Sequence, residues 1–257
     1  MTVETHIHHA RKRVESERTV VASKREGFDS FTERVKELSA SGPNVEQAGQ
    51  AVAGGIAARS VTQGTDQRER VRSAFAETVG QQTDADSVLL SLQQELSEDV
   101  ALALAPTTNA SFTPQLQRQL LTQVTAREQE LAVTDSALRR ELDSIETHLD
   151  TVDSVVTWLV ENDETPLSEL SFPVLRTRHE KLEEFRQTCN ERIAARQELL
   201  AATTSEDGQV GVSHRGLVES LYENFPVDYP VLATTTRLLD ACDDAQRAVR
   251  DHLVRRV

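Results

Sequence analysis

Lysine is scarce in this chain. Only four of the 28 basic residues are lysine (Lys12, Lys24, Lys36 and Lys181), and the rest are arginine. The 257 residues include one methionine, two cysteines, seven prolines and ten glycines, with 4% aromatic and 38% hydrophobic content. So thin an apolar complement argues against a broad sandwich or a doubly wound core. The shortage of Pro and Gly argues against an all-β chain, which needs turn residues every few positions. No apolar run reaches the ~18 residues of a membrane-spanning helix, and the polar start MTVETH does not read as a secretory leader. The class left standing is all-α, with each helix burying one narrow stripe.

Acids are abundant. Asp and Glu number 42, for a net charge of −14. An acidic, lysine-poor, Thr- and Val-rich chain fits a salt-in halophilic archaeon, where carboxylates hold water and molar salt weakens their mutual repulsion. In ordinary salt the same charge disfavours nucleic acid as a partner. Cys189 and Cys242 lie beside apolar residues on helix faces, where small buried hydrophobes are expected, and their scarcity suggests the cytoplasm.

The periodicities predict several helices. Over residues 4–39 the positions Ile7, Val14, Val21, Phe28 and Val35 recur every seven residues, with Ala10, Glu17, Lys24, Phe31 and Leu38 as companions. The stretch 40–66 holds five of the ten glycines and almost no bulky side chain; it reads as a flexible linker. A helical region over 67–105 breaks near Gly80. Asp84 or Asp86 would cap its second half, which places Val88, Leu89, Leu92, Leu96, Val100 and Leu104 on one face. Thr113 and Pro114 form an N-cap and first-turn pair that opens a helix over 114–162. There Val124, Leu131, Leu138, Ile145, Val152 and Leu159 repeat at seven residues, beside Leu121, Glu128, Asp135, Leu142, Leu149 and Val156. Further helices are predicted over 173–203, 214–225 and 230–256.

These lengths predict a long antiparallel helical hairpin, a coiled-coil stalk over 132–203, on a small helical head of 67–131 and 204–257. Residues 1–39 are the third strand of the stalk. The order of the first helix, RERVRSAFAETV, FTPQLQRQLL and LYENFPVDYPVLATTTRLLDACDDAQRAV resembles a family of uncharacterised haloarchaeal proteins defined by a helical domain of unknown function. The resemblance implies the helical fold and the habitat and brings no activity, cofactor or site residue.

No motif carries chemistry. Among His6, His8 and His9, two histidines at i and i+2 on a helix do not share a face, and no carboxylate or cysteine completes a set at ligand spacing, so no metal is expected there. His148, His179, His214 and His252 stand near no recognised nucleophile motif. No catalytic residue, cofactor or small-molecule substrate is expected. Two regions depart from the average charge. Residues 1–39 carry eight basic against seven acidic residues, and Asp143–Glu169 holds eight acids without a Lys or Arg. The candidate partner contacts are Arg11, Lys12, Arg13, Trp158, Tyr222, Phe225 and Tyr229. The expected function is a non-enzymatic scaffold or regulator acting through protein contacts or self-association. The alternative is a nucleic-acid-associated or signalling accessory protein that uses the N-terminal helix.

Overall fold

The computed structural model describes residues 5–38, 56–83, 85–108, 111–202 and 213–255, with 56–65 as backbone alone. The fold is all-α, and no strand occurs among the described residues. The helices are α1 (His6–Glu37), α2 (Ile56–Thr78), α3 (Val88–Glu95), α4 (Glu98–Leu104), α5 (Pro114–Asp163), α6 (Phe172–Ala201), α7 (His214–Leu221) and α8 (Pro230–Val254), with a 3-10 turn at Gly80–Gln82. No helix among the described residues is long and apolar enough to cross a membrane. The chain divides into two compact units. One comprises Met1–Arg18 and Ser136–Val257, the other Thr19–Asp135, so α1 and α5 each contribute to both.

In the Thr19–Asp135 unit the seven-residue seam of α1 is buried as its spacing predicts, at Val21, Phe28 and Val35 with Phe31. Phe75 of α2 meets Phe28 and Phe31 edge to face, with ring centroids 6.5 and 5.3 Å away. Gly27 lets the two helices approach: a Cβ there would lie 3.0 Å from the Thr78 carbonyl oxygen. The charged companion Lys24 turns into a buried ion pair with Glu95, whose other oxygen takes Nη2 of Arg127 at 3.0 Å. Gln117 of α5 donates to the Val35 and Leu38 carbonyls at 2.7 and 3.0 Å, closing the end of α1.

Two boundaries differ from expectation. α2 begins at Ile56, inside the stretch read as linker; residues 39–55 lie outside the described residues. The region after Gly80 is two helices, α3 and α4. Ser97 accepts from Val100 N at 3.3 Å, and Glu98 and Asp99 follow in the first turn, so a new helix starts there and a single face through Leu96 is not formed. Ser87, not Asp86, caps α3, and Asp84 lies outside the described residues. Thr113 does cap α5, its Oγ1 accepting from Leu116 N at 3.2 Å.

In the other unit α5 and α6 run antiparallel. Glu141 faces Arg196, Thr151 faces Arg192, and the Asn162 carbonyl faces Arg178. α8 lies antiparallel on α6 in turn, with Arg186 bonded to Asp243 and Gln246 to Glu183. Val152 and Val155 of α5, Leu175, Leu182, Phe185 and Cys189 of α6, and Leu238, Cys242 and Val249 of α8 form one core. Both cysteines are buried and free, and they lie in this same core. The expected head joined 67–131 to 204–257. Instead α7 and α8 belong with residues 136–201, because α6 buries apolar residues against both α5 and α8.

Candidate functional site

The connector between α5 and α6 brings together the ends of two helices and a set of apolar side chains with water on one side. Trp158 is half-buried, its ring edge to face with Phe185 at 5.5 Å between centroids. On α6, Phe172 and Val174 are 45% and 43% exposed, high values for large apolar residues, whereas exposed Val160, two residues after Trp158, points to the other side of α5. A hollow of about 460 Å³ opens here, lined by Trp158, Asn162, Pro173, Val174, Arg178 and Lys181 among others. A second of about 190 Å³ lies on the other side of Trp158 and reaches Leu167, Leu182 and Val249.

The frame of this surface is fixed by short polar contacts. Arg178 Nη1 donates to the Asn162 carbonyl at 2.7 Å, placing a cation at the negative end of α5. Asn162 donates to the Trp158 carbonyl at 2.9 Å. Lys181 binds Glu184 at 2.8 Å while its Nζ sits 4.7 Å over the Phe185 ring. Glu161, Asp163, Glu164 and Glu169 are exposed around it. What results is an apolar, aromatic centre with a charged rim, the anatomy of a protein-contact surface.

The other proposed contacts are placed differently. Arg11 lies 3.0 Å from Glu15 and 3.7 Å from Glu146, and Arg13 3.3 Å from Glu17, so both cations already face carboxylates; Lys12 is engaged as well. Tyr222 is 1% exposed, which removes it from the surface set. Its ring meets half-buried Phe225 edge to face at 5.1 Å. Tyr229 donates to Glu219 at 2.9 Å and remains partly accessible. These three rings hold the corner between α7 and α8.

The Tyr222 hydroxyl leads into a cluster that no spacing announced. Glu141, Arg196, His214 and Tyr222 are 0%, 1%, 2% and 1% exposed. One Glu141 oxygen accepts from Arg196 Nη2 at 2.8 Å and Tyr222 OH at 2.7 Å. The other accepts from Arg196 Nη1 at 2.7 Å and contacts His214 Nε2 at 3.0 Å. Arg196 Nη1 also reaches Ser144 Oγ at 3.1 Å. Burial alone would raise the Glu141 carboxyl, but His214, Arg196 and Tyr222 together bring it down from 4.5 to about 2. Burial, and then the Glu141 charge and hydrogen bond, push the Tyr222 hydroxyl up. Nearby, burial holds His148 below its ordinary value; its ring nitrogens face the Ser144 and Arg192 carbonyls at 2.7 and 3.2 Å, which pull the other way.

A carboxylate saturated by three side chains at such burial has no lone pair left for a substrate. It is a tie between α5, α6 and α7. Among the described residues no group of three or more His, Cys, Asp or Glu could hold a metal ion.

The chain belongs to the family defined by the domain of unknown function DUF7260, whose model matches residues 5–246. Comparison with the curated proteins and with the solved structures finds no match.

Proposed function

We propose that this chain is a non-enzymatic helical scaffold or regulatory protein of a halophilic archaeon. It acts in the cytoplasm through protein contacts at the joined ends of α5 and α6. The observation that carries the reading is the recess beside Trp158, a hollow of about 460 Å³ with exposed Val174 on its wall. Half-buried tryptophan in a recess, ringed by charge, is the composition of an interface anchor. Its partner is a protein that inserts an apolar side chain beside Trp158.

The nucleic-acid reading loses support because Arg11 and Arg13 are already paired with acids. Affinity purification from the native host at native salt separates the two. A partner held by the wild type and by the Arg11→Glu, Lys12→Glu, Arg13→Glu triple variant, and lost by Trp158→Ala with Val174→Glu, is the expected result. A partner lost only on the triple variant would overturn the assignment.

A further inference from the structure

A cavity of about 410 Å³ lies between the start of α1, the second half of α5 and the first half of α8. Its wall is Val152, Val156 and Leu159 of α5 with Leu238 of α8, and its polar edge carries His6, His9 and Arg237. The size falls in the range of small-molecule sites, roughly 300–1,000 Å³, and the mix of an apolar wall with a few polar groups at one edge is theirs too.

The sign of that edge is unusual for this chain. Acids outnumber bases 42 to 28, yet no acid among the described residues lines the cavity. Arg237 is exposed and makes no ion pair or side-chain hydrogen bond among the described residues, whereas Arg11, Arg127, Arg186 and Arg215 each face a carboxylate. His6 is likewise unengaged among the described residues. A cation beside an apolar wall complements a carboxylate on a hydrocarbon body, and arginine binds carboxylates through two parallel donors. From Val152 to Leu159 the wall runs about 10 Å along α5, the reach of a chain of about eight carbons.

We propose that this cavity binds a small amphiphilic carboxylate in monomeric form, its hydrocarbon body against α5 and α8 and its head at Arg237. The site is separate from the Trp158 surface and does not depend on the protein-contact reading.

Titration calorimetry of the full chain in molar KCl, with octanoate, 1-octanol and octylammonium below their aggregation thresholds, tests it. Octanoate should saturate at one per chain and bind at least about tenfold more tightly than octylammonium. Arg237→Glu should weaken octanoate by about tenfold or more and leave octanol unchanged. Ala241→Phe, at the cavity wall, should abolish both. Should that variant fail to fold by circular dichroism, Arg237→Glu decides alone, since its side chain is exposed. Absence of saturable octanoate binding, octanol or octylammonium binding as tight as octanoate, or octanoate binding indifferent to Arg237→Glu would each overturn the proposal.

Discussion

Glu141 is a buried carboxylate held by Arg196, His214 and Tyr222. Removing one partner of a buried ion pair strands the other, at a cost of about 3–5 kcal/mol. Glu141→Gln should therefore lower stability by about that much in urea unfolding, because the amide turns a donor toward Arg196. Tyr222→Phe removes one hydrogen bond to a charged group and should cost about 1.5–3 kcal/mol. The pH dependence has a definite sign. The folded carboxyl lies at about 2 and the ordinary value at 4.5, so its contribution is full above pH 4.5 and drains away as pH falls toward 2. That contribution is on the order of 3 kcal/mol. Urea midpoints between pH 7 and 2 should fall steeply in the wild type and more shallowly in Glu141→Gln. Equal slopes would mean that another group carries the acid transition. None of this is visible in the sequence. Glu141 stands two residues before Asp143 in a helix full of acids, and Arg196 is 55 residues away. A buried charge looks like a surface charge until the fold brings its partner.

At the level of helices, more was legible, because a seven-residue repeat and a cap are local signals. The α1 seam is buried at every position from Ile7 to Val35, and α5 starts at the Thr113–Pro114 signal. The antiparallel α5–α6 hairpin was legible from helix lengths; what escaped was that α8 packs along α6. Trp158 was readable as a ring near a helix end, but its hollow exists only because α6 returns past it. Ser97 followed by Glu98 and Asp99 is a local helix-start signal, but the apolar spacing runs straight through it. Gly27 is a second case. In a solvent-facing helix, Gly→Ala gains up to about 1 kcal/mol of propensity. Here the added Cβ meets a backbone oxygen at 3.0 Å and backbone Cα of Val79 at 3.4 Å, and backbone gives way less readily than a side-chain tip. Gly27→Ala should lose the propensity gain and destabilise, and Gly27→Val should cost about 1–3 kcal/mol in the same unfolding measurement. A more stable Gly27→Ala would mean that α1 and α2 are free to separate.

For the whole chain the governing quantity is net charge. With −14 on 257 residues, like-charge repulsion opposes compaction in dilute salt. Exposed pairs such as Arg176–Glu180 and Arg215–Glu219 act in the opposite direction, yet each is worth only about 0–1 kcal/mol and is screened by the same ions. The Glu141–Arg196 pair is shielded by burial and responds little. Repulsion summed over the excess of acids should therefore win. Raising KCl from 0.1 to 1 M shortens the Debye length from about 10 to 3 Å, and the thermal midpoint should rise by at least about 4 °C, the shift that roughly 1–2 kcal/mol produces in a chain of this size. Most of the rise should come below about 1 M, where screening is still changing. Sulfate should add to it at higher concentration by exclusion from the apolar surface. The wild type and Glu141→Gln should gain in parallel, since the buried carboxylate sits outside the screened set. A midpoint that is flat or falls with KCl would show that repulsion is no significant term, and would remove the physical ground for placing this protein in a cell filled with salt.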